Sequence, residues 1–125
     1  MAQKLNSTIG SVEPDKLFAG PHDYVVTRNE ILASGNNLPR GALLTYDTAT
    51  KKVKGISATT EDVYGVLADP VDATSADSGC VVYLTGRFNP EALSTTKPSA
   101  GEAPAVDDFM LSARKVGIFF ASKPY

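Results

Sequence analysis

The sequence predicts a mainly β domain with little helix. Strand-like runs recur at short intervals between turn clusters from residue 25 onward, and the strongest of them, "CVVYLTGRF", is rich in β-branched and aromatic residues. Only two stretches, "NPEALS" and "VDDFMLSARK", carry helix signatures. The length of 125 residues suits one domain, and a content of 42% apolar and 21% charged residues is ordinary for a globular chain.

Residues 1–20, "MAQKLNSTIGSVEPDKLFAG", hold scattered apolar residues with no sustained period of 2 or 3.6, and glycine and proline interrupt them. They read as an arm. The next stretch, "PHDYVVTRNEILASG", is extended but lacks strict alternation: Val25 and Val26 lie together, "TRNE" is polar, and Ile31 and Leu32 lie together. The arm is therefore placed at residues 1–32 and the domain at 33–125. Ile31 to Ala33 is read as the way into the domain, and Tyr24, Val25, Val26 and Thr27 as strand available to a partner.

"SGNNLPRG" reads as a dense turn cluster. "ALLTYD" and a short strand near Lys52 to Ile56 form a hairpin around "DTATKK". "VYGVLADPV" is a strand interrupted by Gly65, a position that suggests a bulge or a close backbone approach. "DATSADSG" is a polar loop before "CVVYLTGRF". In "NPEALS", Asn89 can cap, Pro90 occupies the first helical position and Glu91 suits the positive end. "TTKPSAGEAPA" is a surface loop. "VDDFMLSARK" then places Phe109 and Ala113 on one helical face, with Asp107 and Asp108 at its start and Arg114 and Lys115 at its end. "VGIFFAS" is a final strand.

Chemistry is sparse. The net charge is −2 and the lysines and arginines are dispersed, against the clustered basic face that nucleic-acid binding needs. The longest apolar run falls well short of the ~20 residues of a membrane-spanning helix, and the first residues carry no apolar signal-peptide core. The single cysteine, Cys80, excludes an internal disulfide and sits in strand-like surroundings that suit a buried inert thiol. The single histidine, His22, stands between Pro21 and Asp23 in a connecting segment, a poor platform for catalysis. Asp69, Asp72 and Asp77 invite a calcium reading, but their spacing is not that of an EF-hand loop, and aspartate has its own reason to occupy turns. No glycine-rich phosphate cradle occurs. The residues nominate no catalytic, cofactor-binding or metal-binding group, which favours a binding or structural role.

"LPRGALLTYDTATKKV", then "EDVYGVLADPVDAT", then "GCVVYLTGRFNPEAL" and finally "ARKVGIFF" resemble, in that order and spacing, the lambda-type head decoration proteins of tailed phages. The resemblance spans roughly residues 35 to 121. It implies a β-clip-like fold of bent ribbons with one or two short helices. It also implies a homotrimer bound to the major capsid protein at three-fold positions of the expanded head, on the outer surface of the virion, after synthesis in the host cytoplasm. Such a protein has no catalytic residue and no cofactor. Two departures from the pattern are a longer N-terminal arm and the generous loop "STTKPSAGEAPAVDD". On this reading the arm, with Tyr24 to Thr27 foremost, contacts the capsid, and Arg87, Phe88, Asn89 and Pro90 at the strand-to-helix corner form the trimer interface. The rival readings are a small β-rich metal-dependent enzyme using the aspartate loop, or a tail- or fibre-associated structural module.

Overall fold

Five strands close on themselves in the order β1-β4-β3-β5-β7, in a computed structural model that describes residues 17, 25–98 and 101–121. They are β1 (Thr27–Leu32), β3 (Leu43–Asp47), β4 (Lys52–Gly55), β5 (Gly65–Leu67) and β7 (Ser78–Tyr83). Two ribbons flank the barrel. One pairs β2 (Asn36–Leu38) with β6 (Val71–Ala73), antiparallel, and the other pairs β8 (Gly86–Phe88) with β9 (Ile118–Phe120), parallel. A one-turn 3-10 helix (Pro90–Ala92), a second 3-10 turn (Val106–Phe109) and the short α1 (Met110–Lys115) complete the described chain. The fold is mainly β, as the turn-punctuated strand pattern predicts.

The apolar runs are continuous because several barrel strands are covered on both faces. Leu32, Leu44, Val53, Leu67, Cys80 and Val82 fill the barrel interior. Their sequence neighbours Leu43 and Val66 face the other way, into a second cluster with Phe88, Leu93, Phe109, Ala113 and Ile118. The barrel wall thus separates two cores, and the β8–β9 ribbon with α1 covers its outside. Gly65 shows why a side chain is excluded in this wall: a Cβ there would stand 2.3 Å from Val82 Cγ1 and 2.8 Å from the Tyr83 carbonyl oxygen.

Several local expectations hold. The hairpin β3–β4 pairs Asp47 with Lys52 across its turn, where the Asp47 carboxylate accepts the Ala49 N–H at 2.9 Å. Asn89 caps its 3-10 helix by accepting from the Glu91 N–H at 3.1 Å, with Pro90 in the first turn. Phe109 and Ala113 are buried on one face, as their spacing requires.

Three expectations change. "SGNNLPRG" is not all turn, because Asn36–Leu38 pairs with β6. The Asn36 amide reaches the Ala33 carbonyl at 2.9 Å and its carbonyl oxygen accepts the Gly55 N–H at 3.3 Å, so a turn-forming residue ties a ribbon to the barrel. "VYGVLADPV" is two strands, parted at Asp69–Pro70 and lying in different sheets.

The third change is the boundary at 32/33. Residues 27–32 are β1 itself, paired rung for rung with β7 from Thr27↔Tyr83 to Leu32↔Ser78, and touching β4 at Leu32↔Val53. Alternation is hidden there because the inward positions include Glu30, a carboxylate held inside the wall. Leu17 also belongs to the core: it is 2% exposed in the second cluster, and its carbonyl accepts the Asn89 N–H at 2.7 Å. Leu17→Ala is expected to destabilise the domain by ~2–5 kcal/mol through lost burial and a residual cavity. Urea unfolding with an unchanged slope checks this. Deleting residues 2–23 removes the same side chain and is expected to cost at least as much.

Candidate interaction surface

The sequence singled out two segments, and the structure brings them to one end of the barrel. Val26 lies just before β1. Its carbonyl accepts the Leu84 N–H at 2.7 Å, and its N–H donates to Thr85 Oγ1 at 3.1 Å. The backbone of Val26 is therefore already engaged within the protomer, while its side chain is 52% exposed. Val25 is half-buried against Gly86, with Cγ2 3.4 Å from where a Cβ would stand on that glycine. Thr27 is the first rung of the β1–β7 ladder. Tyr24 and His22 lie outside the described residues.

The corner at 87–90 divides by side chain. Phe88 is fully buried, its ring 5.9 Å from that of Tyr83, and Asn89 is 3% exposed, holding the cap. Arg87 is exposed beside Phe119 in the β8–β9 register, and Pro90 is half-buried. Of the four, Arg87 and Pro90 offer side chains to another molecule, and Phe88 and Asn89 hold the corner together.

Pattern reasoning did not single out the outward face of α1. Leu111, midway between the buried Phe109 and Ala113, points the opposite way and is 64% exposed. Met110, Val116 and Phe119 are also exposed. The available signal was Leu111, two positions from both Phe109 and Ala113 and so on the face opposite to theirs. Between the two 3-10 turns, just before α1 in sequence, lies an open cleft of about 400 Å³ lined by Pro90, Glu91, Ala105, Val106 and Asp107. A second groove of about 390 Å³ runs along the outer β1–β7 face between Asn29, Ile31, Gly79 and Val81.

The groups nearest to chemistry are engaged in holding the fold. Glu30 accepts from the Tyr64 hydroxyl and pairs with Arg28 Nε at 3.0 Å. Burial first, and then the Glu30 carboxylate, push the Tyr64 phenol up to about 12. Burial, followed by the same carboxylate, pushes the Cys80 thiol up, away from thiolate reactivity. In the aspartate loop, Asp72 accepts from the Thr74 hydroxyl and, at 3.0 Å, from its N–H. Asp77 binds Lys52 Nζ and accepts the Ser34 N–H at 2.8 Å. Those partners hold both carboxyls below their usual range. The two side chains thus close turns and tie the loop to β4, and among the described residues no group of three or more acidic, histidine or cysteine side chains is placed to hold a metal. No helix among the described residues is long and apolar enough to cross a membrane.

Residues 6–107 match the family model for bacteriophage lambda head decoration protein D, a span that takes in the barrel, the β2–β6 ribbon and the corner at 87–90 but stops before α1 and β9. No curated protein matches the chain.

The Tyr64 environment sets an alkaline limit. The neutral phenol is favoured in the folded state, so the stability linked to it is full below pH 10.0, the ordinary value, and is lost as pH rises through about 12. Phenolate absorbance should show an ionisation near pH 12, and Tyr64→Phe should remove it.

Proposed function

Because the chain belongs to the bacteriophage lambda head decoration protein D family, we propose that it is a structural protein of the phage head. It binds the outer surface of the capsid as a homotrimer at three-fold positions of the expanded shell and holds the major capsid protein against internal DNA pressure. The family match over residues 6–107 carries this reading. The chemistry on the molecule supports it: the titratable groups described above are engaged in structural contacts, while apolar side chains stand outward around Val26 and α1.

The physical logic is that of a cement. Three linked copies turn modest single contacts into tight capture, since the second and third are made at high effective concentration. A ligand that contacts only the expanded lattice stabilises that state by mass action. Residues 1–16, together with Tyr24, Val25, Val26 and Thr27, reach the capsid. Strand addition to a capsid sheet supplies backbone hydrogen bonds without a deep pocket, but the engaged backbone of Val26 leaves that role to residues before it. Val26 contributes its exposed side chain. Arg87 and Pro90 contribute to the contact between copies.

Gradient co-sedimentation with expanded and unexpanded heads lacking the protein tests the proposal. Binding to expanded heads, saturating at a copy number divisible by three, is expected, and no co-sedimentation overturns it. A chain lacking residues 2–16 keeps Leu17 and the barrel, and should fold normally while binding heads about tenfold or more weakly, as removal of one element of a multivalent contact does.

A further inference from the structure

We propose that the outward face of α1 and the cleft just before it in sequence are the two halves of one self-association contact, in which the basic end of α1 on one copy seats in the acidic cleft of the next. The inference rests on the trimer reading above and specifies which surfaces meet. The cleft wall carries Glu91 and Asp107, with Asp108 adjoining, and all three are exposed. At the C-terminal end of α1, Arg114 and Lys115 are exposed and lie three and four positions beyond Leu111, on its side of the helix. Among the described residues none of these five charges makes an ion pair within the protomer, whereas Arg28 with Glu30, Lys52 with Asp77 and Lys54 with Glu61 do.

Two unlike, complementary patches on one molecule make a head-to-tail contact, and such a contact closes into a ring when the rotation between copies permits. Leu111 and Met110 then supply the covered centre, with charges at the rim, the ordinary arrangement of an interface. Carboxylates on the cleft and cations at the end of α1 suit a second copy of this chain better than a phosphate backbone, which the carboxylates repel. They suit it better than a lone metal ion too, since the cleft brings together no side-chain group placed to hold one. The family match ends at residue 107, so the basic half of the contact lies in the part of the chain beyond it.

Sedimentation equilibrium on the full chain decides the matter, with Glu91→Lys/Asp107→Lys, Arg114→Glu/Lys115→Glu and the combination of all four. All the positions are exposed, and far-UV circular dichroism checks that each variant folds. The wild type should be trimeric and should dissociate more readily as salt is raised. Each double variant should raise the dissociation constant about tenfold or more through like-charge contact, and the fourfold variant, with both patches reversed, should restore the trimer. A wild type that stays monomeric overturns this contact, while the copy number on expanded heads separately decides the trimer reading. A trimeric wild type whose double variants associate equally well, or whose fourfold variant does not recover, overturns this contact alone.

Discussion

Closure of the barrel by β1 is the constraint from which the other features of this molecule follow. Without the β1–β7 ladder the order β4-β3-β5-β7 would be an open sheet with two edges, each a row of unpaired backbone groups. With it, the ladder runs six rungs along β7, and Leu32 reaches across to Val53 of β4. Closure also accounts for a costly group in the wall. Glu30 sits where a barrel residue must face inward, and its carboxylate is tolerated because Tyr64 donates to it and Arg28 reaches it from the rim. An apolar residue there would leave the Tyr64 hydroxyl without that partner, so this position could not be exchanged alone.

The closed wall creates the need for a second core. Leu43 and Val66 project outward and would be solvated if nothing covered them. Phe88, Phe109, Ala113 and Ile118 cover them, drawn from four elements that follow the barrel in sequence. Leu17 comes to the same cluster from before the barrel and is fixed through the backbone at Asn89. Chain before and after the barrel therefore converges on the corner at 88–90. Gly41 lets the chain pass here: its φ is +94°, and a Cβ on it would stand 2.4 Å from the Ala92 carbonyl oxygen.

What could be read in the sequence was local. The Asn89–Pro90–Glu91 cap, the Asp47 turn, the Phe109–Ala113 face and the tight approach at Gly65 each rest on interactions a few residues long, or on a steric rule attached to one residue type. What escaped was set by distant partners. Asn36–Leu38 has turn-forming composition and becomes a strand because β6 lies opposite. Glu30 breaks the alternation of β1, which made a barrel strand look like part of an arm. Leu17 is one leucine in an unpatterned stretch, and only the cluster it fills marks it as core. The corner at 87–90 was found as a feature but not divided into its parts. Composition does not say that Phe88 and Asn89 turn inward while Arg87 stays out, because that depends on which side of β8 the barrel lies.

The charges complete the argument. On the barrel three pairs are matched within the protomer: Lys52 with Asp77, Lys54 with Glu61, Arg28 with Glu30. Partial burial alone would raise Glu61, yet Lys54 and the N–H groups of Ser57 and Ala58 hold it below its ordinary value. On the outward side of α1 and its cleft, the exposed acids and bases stand apart, grouped by sign and with apolar side chains between them. Exposed pairs contribute little to folding in any case, so folding alone gives no reason to segregate them. Segregation matters when a neighbour presents the opposite order, because charge then fixes which face meets which and in what register. In the proposed contact the barrel pairs hold the protomer's own shape, and the charges around α1 are met by those of a neighbouring copy.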